Sequence, residues 1–135
     1  LKPVMRFESR ITSIRWIDVG ESVGYGGRWV ARRRSRIATI PAGYGDGYPR
    51  AARDGTPIGT EQGTVLLAGK VSMDMITADI TDLPALDVGS PVTLWGDSPY
   101  IDEVAGYCDT IGYELCARIT QRTPRLFHRL TGERD

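Results

Sequence analysis

The sequence predicts a mostly β domain, a compact β-barrel-like arrangement with two short helices near the C-terminus. Three observations lead there. Sixteen glycines and eight prolines, 24 of 135 residues or about 18%, exceed the usual share of about 12% and fall between short stretches of strand character. Several of those stretches alternate apolar and polar residues, and a clear helical period occurs only late in the chain. Finally, 135 residues fit one domain able to bury a core without disulfides or a metal. That domain is expected over 1–130, with a polar tail at 131–135.

In chain order, the first stretch puts Met5, Phe7, Ser9 and Ile11 on one face and Arg6, Glu8, Arg10 and Thr12 on the other. The apolar phase then slips to Ile14 and Trp16, which predicts a bulge or bend near Ser13. A loop over Asp18–Gly27 separates this from a second strand, Trp29 to Ile40. Further strands are expected at Gly63–Ala68, Met75–Ile80 and Pro91–Trp95. Within Ser98–Asp109, Ile101, Val104, Ala105 and Cys108 share a helix face, and Asp102 and Glu103 suit the positive end of its dipole. A second short helix is expected over Tyr113–Arg118, then a last strand through Leu126 and Phe127 after Pro124.

Composition excludes several function classes. Seventeen Lys and Arg balance seventeen Asp and Glu, so there is no global pull towards nucleic acid or an anionic membrane. No apolar run approaches the ~20 residues of a membrane span, and no signal-peptide pattern opens the chain. The chain begins Leu1-Lys2-Pro3 without an initiator Met, so a piece of a longer, cytoplasmic protein is expected. Cys108, Cys116 and His128 are too few for a four-ligand Cys/His zinc site, and no metal is expected. The cysteines lie eight apart, could be paired or free, and are expected free and buried. His128 beside the polar tail is a poor triad base. Arg32, Arg34 and Arg36 would share one face of a strand and Arg33 the other, which reads as a solvated or partner-facing surface rather than a phosphate track. Chemistry must therefore use Tyr, Arg, Lys or carboxylates.

Three segments stand out. Gly43-Tyr-Gly-Asp-Gly-Tyr-Pro-Arg50 lacks the spacing and Lys-Ser/Thr of a phosphate-binding loop and by itself reads as a turn, yet two tyrosines and an Arg are unusual for a passive connector. Gly24-Tyr25-Gly26-Gly27 lets backbone approach closely around a tyrosine. An unperturbed phenol, with pKa about 10, is a poor base; bringing it to about 7 costs roughly 4 kcal/mol and needs cations nearby. By itself this string reads as an aromatic packed over a loop. Gly69-Lys-Val-Ser-Met-Asp-Met75 joins two strands and reads as a turn with an exposed ion pair, Lys70 and Asp74, worth under about 1 kcal/mol.

Taken in order, these strings match one family. The matching pieces are Leu1-Lys-Pro-Val-Met5, Gly20-Glu-Ser-Val-Gly-Tyr-Gly-Gly27, Ile40-Pro-Ala-Gly-Tyr-Gly-Asp-Gly-Tyr-Pro-Arg50 and Gly69-Lys-Val-Ser-Met-Asp74. They continue with Val88-Gly-Ser-Pro-Val-Thr-Leu-Trp-Gly96, Gly112-Tyr-Glu-Leu-Cys116 and Gln121-Arg-Thr-Pro-Arg125. Each is short, but seven in sequence over 1–125 are specific. On them, the chain resembles the C-terminal domain of bacterial alanine racemase, a family that uses pyridoxal 5'-phosphate (PLP).

The resemblance implies an N-terminal (β/α)8 barrel that carries the PLP lysine, and a head-to-tail homodimer in which each β domain completes its partner's site. It implies Tyr25 as one of two opposed acid/bases, the other being a barrel lysine, so that L- and D-alanine exchange a proton on opposite faces of Cα while PLP serves as electron sink. It assigns the Met73 backbone amide to the substrate carboxylate, Asp74 and Lys70 to the border of the site, and Tyr44 and Arg50 to the corridor leading in, where a constriction admits small alanine. No cofactor-binding residue is implied within this chain. Two positions depart from the family: Lys70 stands where many members carry Arg, keeping charge but losing the planar fork. Gln121 stands where some place a phosphate-contacting Tyr, and that role is not transferred. The isolated piece is expected to be inactive. The alternatives are a β-barrel dimerisation or interaction domain without catalysis, and a relative acting on serine or another amino acid.

Overall fold

The computed structural model describes residues 5–108 and 126–127. Ten strands are described: β1 (Met5–Arg10), β2 (Ser13–Ile17), β3 (Ser22–Val23), β4 (Trp29–Val30), β5 (Ser35–Ile40), β6 (Pro57–Thr60), β7 (Gly63–Leu67), β8 (Ile76–Asp79), β9 (Pro91–Trp95) and β10 (Leu126–Phe127). One α-helix is described, α1 (Ile101–Gly106); the second expected helix, over Tyr113–Arg118, lies outside the described residues.

Eight strands form one antiparallel sheet in the order β10-β1-β9-β6-β7-β8-β5-β2, and β3 and β4 form a separate hairpin. The expected barrel is an open, curled sheet. At Ile11–Thr12 the chain turns a corner: Ile11 N–H donates to Ser90 O at 2.9 Å and Thr12 N–H to Thr39 O at 2.9 Å. That corner sends β1 to β9 and β2 to β5, so two strands joined by two residues lie towards opposite ends of the sheet. Curling follows, but among the described residues no ladder joins β2 to β10.

The core sits in the curl. Phe7, Ile40, Ile58, Leu67, Ile76, Leu94 and Trp95 are all buried there, each side chain contributing about 1.5–3 kcal/mol in burial. α1 closes one side with Val104 and Ala105, as its period predicts. Cys108 is buried at the end of the helix and its Sγ donates to Val104 O at 3.3 Å. A smaller cluster of Ile17, Val23, Ala31 and Ile37 supports the β3–β4 hairpin. Strand β5 serves both, because alternate residues point to opposite faces: Ile37 enters the small cluster, while Ala38 and Ile40 enter the main core.

Other expectations need correction. Trp29–Ile40 is two strands, not one, because the intervening arginines bond outward to loops. Arg33 forms a two-pronged pair with Asp82 at 3.0 and 2.9 Å, and Arg34 reaches Asp18 at 3.2 Å. With no strand over 31–34, the arginine alternation expected there does not arise. Trp16 is half exposed on edge strand β2, its ring covered by the Arg34 guanidinium at 4.9 Å, and the buried residue of that strand is Ile17. Strand β6 carries no alternating signal; its Gly59 is required because a Cβ there would overlap Ser98 O.

Candidate active site

Three loops meet on one side of the sheet, and glycines make the meeting possible. The first is the turn after β5. Gly43 N–H donates to Asp46 Oδ2 at 3.1 Å and Asp46 N–H to Gly43 O at 2.9 Å, while Gly47 at φ +103° reverses the chain. This turn separates its two tyrosines: Tyr48 points into the core, and Tyr44 is exposed.

The second loop, 68–75, is stitched by Ser72, whose Oγ donates to Met75 O at 2.9 Å and accepts from Met75 N–H at 3.2 Å. It is zipped to the first by Tyr44 N–H to Ser72 O at 3.0 Å and Gly45 N–H to Met73 O at 2.9 Å. Only glycine fits at 43, since a Cβ there would overlap the carbonyl oxygens of Ser72 and Met73. Met73 O is thus taken, and among the described residues nothing accepts from the Met73 N–H.

The third loop is a single turn of 3-10 helix over Tyr25–Gly27, between β3 and β4. Gly24 adopts φ +83° and lies against the second loop; a Cβ on it would stand 3.0 Å from both Gly69 Cα and Lys70 N. From the other side, a Cβ on Gly69 would stand 2.9 Å from Val23 O. The backbone that carries Tyr25 therefore abuts the backbone that carries Lys70.

Between the first two loops lies a hollow of about 330 Å³ lined by Tyr44, Arg50, Lys70, Val71, Ser72 and Met73. The Arg50 guanidinium sits over the Tyr44 ring, 5.1 Å from its centroid. Such a contact is worth about 0.5–1 kcal/mol at an exposed site, enough to bias both side chains towards one arrangement at the mouth. The structure brings four expected residues together here: Tyr44, Arg50, Lys70 and Met73. Tyr25 lies one loop away through Gly24, and Asp74 follows Met73 in the chain, exposed and outside the lining. Sequence reasoning missed Val71 and Ser72 as lining, although they lie inside the Gly69–Asp74 string; it also missed the anchoring role of Gly43. Two cations, a phenol and a backbone amide suit a carboxylate. They make one wall of a site.

A profile of the family described as alanine racemase, C-terminal domain, matches residues 4–127. The chain belongs to that family. It is 56% identical over 127 residues to alanine racemase of Chromohalobacter salexigens and 50% identical to the biosynthetic alanine racemase of Pseudomonas aeruginosa, covering 94% of this chain in both cases. Those matches take up 35% and 36% of the relatives, so the chain spans about a third of their length. The crystal structure of the Pseudomonas aeruginosa enzyme superposes with a TM-score of 0.89 at 51% identity, over 92% of this chain and 35% of that one. Alanine racemase from Bartonella henselae, solved with covalently bound pyridoxal phosphate, superposes with a TM-score of 0.81 at 32% identity, over 86% of this chain and 33% of that one. Full-length members of the family therefore carry a further region beside this domain.

Proposed function

We propose that this chain is the C-terminal part of a PLP-dependent enzyme that interconverts L- and D-alanine, and that Tyr25 is one of its two acid/bases. The observation that carries this reading is the junction of the Tyr25 turn with the Lys70–Met73 segment through Gly24 and Gly69. The residues that the resemblance assigns to the reaction and the substrate, Tyr25 and Met73, belong to these loops, and Tyr44 and Arg50 to the neighbouring turn.

The wall does not itself make a cofactor pocket. Its donors suit a carboxylate, and its one described lysine, Lys70, matches the family's border position rather than the lysine that bears PLP. PLP bound on the rest of the enzyme would withdraw electrons and acidify the Cα proton of the amino acid. The chain's own residues do the rest from one side. The Met73 N–H donates to the substrate carboxylate. Arg50 and Lys70 attract that carboxylate to the mouth, and Tyr44 under Arg50 narrows the passage. Tyr25 takes or returns a proton at Cα on one face, and a base on an N-terminal barrel serves the other face. The enzyme is a head-to-tail homodimer in the cytoplasm, and Tyr25 serves the partner's site.

Exchange experiments on the full-length enzyme test the reading. L- and D-alanine have equal free energy, so any variant lowers kcat/KM equally in both directions and steady-state rates do not tell the faces apart. In deuterium oxide, Tyr25→Phe should lower racemisation by about 10²–10⁴-fold. Cα exchange in recovered substrate should persist for one enantiomer and be lost for the other. Equal, small losses for both, or turnover by residues 1–135 alone, would overturn the assignment.

A further inference from the structure

Contact between Gly24 and Gly69 sets a distance between two loops but not a direction, because packed backbones slide. The directional restraint comes from a residue outside the hollow. Asp54 Oδ1 accepts the Gly69 N–H at 2.8 Å and also accepts from Arg28 Nη2 at 3.3 Å. Arg28 ends the Tyr25–Gly27 turn, and Gly69 begins the segment that runs through Lys70 to Met73. One carboxylate oxygen thus spans the two pieces of backbone that the reaction needs in register. Asp54 is itself held: Thr56 N–H and Oγ1 both donate to Arg53 O, at 3.1 and 2.6 Å, and Gly55 N–H donates to Leu67 O at 2.9 Å. That fixes the Asp54 turn on the end of β7.

We propose that Asp54 is a positioning residue for racemisation, aligning the Tyr25 turn with the Lys70–Met73 segment through Arg28 and Gly69. This rests on the reading of Tyr25 as an acid/base. The Asp54 side chain is about one-third exposed and that of Arg28 about one-half, at 32% and 46%. Pairs so exposed add little to stability, so the contribution of Asp54 is geometric. Misplacement of a reacting group by about 1 Å costs up to about 100-fold in rate, so partial loosening is expected to cost about tenfold.

The test uses the full-length, PLP-loaded enzyme in deuterium oxide. Asp54→Ala should lower racemisation about tenfold. Cα exchange in recovered substrate should fall mainly for the enantiomer that Tyr25→Phe silences, and change less than about twofold for the other. Asp54→Asn keeps an oxygen for the Gly69 N–H while losing the charge that holds Arg28, so it should restore part of the rate. Independently of turnover, Gly69 amide hydrogen exchange should quicken in Asp54→Ala and return towards the parent in Asp54→Asn. If Asp54→Ala does not fold, Asp54→Asn carries the comparison, with a smaller asymmetry of the same sense. Equal loss for both enantiomers, a parental rate, or unaltered Gly69 exchange overturns the proposal. Asymmetry in Tyr25→Phe with none in the Asp54 variants sinks the positioning role alone; no asymmetry in Tyr25→Phe sinks both readings.

Discussion

Around Trp95, side chains do the holding. Phe7 meets the indole edge-on with ring centroids 4.9 Å apart, Tyr48 lies nearly parallel to it at 6.1 Å, and all three rings are buried. Around Lys70 the backbone does it. Carbonyls of Ser72 and Met73 take amides from the neighbouring turn, and Gly43, Gly24 and Gly69 remove the side chains that would keep the loops apart. The contrast teaches how a small domain can be firm and still offer chemistry. Where side chains are spent on packing, none is left to face a ligand; where backbones pack, Tyr44, Arg50 and Lys70 are left over to line a hollow.

Substitutions that strike one region or the other sharpen the contrast. Trp95→Ala should be the most damaging to stability, costing about 3–5 kcal/mol in urea unfolding of the full-length protein, while racemase activity per folded molecule changes little. Gly43→Ala should reverse that balance. The added methyl meets carbonyl oxygens that cannot give way without moving the loop, for a stability loss of about 1–3 kcal/mol. Activity should fall about tenfold as Tyr44 and Met73 lose register. A larger stability loss at Gly43 than at Trp95 would break the comparison.

The smallest effect lies inside the core. Among the described residues the Tyr48 hydroxyl is buried without a hydrogen-bond partner, and burial, with a lesser contribution from Cys108, pushes its pKa well up. Tyr48→Phe should therefore be within about 1 kcal/mol of the parent at neutral pH, and on the stabilising side. The sign at high pH follows from the raised value. The unfolded phenol ionises near pH 10 and the folded one does not, so the unfolded state holds fewer protons above that pH. Folding stability then falls at up to about 1.4 kcal/mol per pH unit. In Tyr48→Phe this alkaline loss should be shallower, and unfolding curves at pH 9 to 11 would show it.

Elements that carry their own period were legible in the sequence. Strands β7, β8 and β9 lie within a residue of where strand character puts them, β8 with its expected alternation, and α1 buries Val104 and Ala105 as its spacing requires. Elements set by distant partners were not. Trp16 looks like a core residue until Arg34 is seen over it, and 29–40 looks continuous until Asp82 and Asp18 draw Arg33 and Arg34 aside. Strand β6 was invisible because its Gly59 makes room for Ser98, a contact 39 residues away in the chain. At the site, the strings named Tyr44, Arg50, Lys70 and Met73, but their meeting depends on glycines whose partners lie in other loops. Asp54 went unnoticed because an Asp-Gly pair is the ordinary signature of a turn.

The separate cluster beneath the β3–β4 hairpin has a consequence for how the domain tolerates change. Among the described residues its buried members are Ile17, Val23, Ala31 and Ile37, and β5 stands between it and the main core as a partition. A repacking substitution at Ala31 is screened from Trp95 by that partition, whereas Val23 also backs onto Gly69, where an added Cβ would stand 2.9 Å from Val23 O. The hairpin that carries Tyr25 is tied down at two places, on β2 and β5 through this cluster and on the second loop through Gly24 and Gly69, so a change beneath it reaches the Lys70 segment before it reaches Trp95.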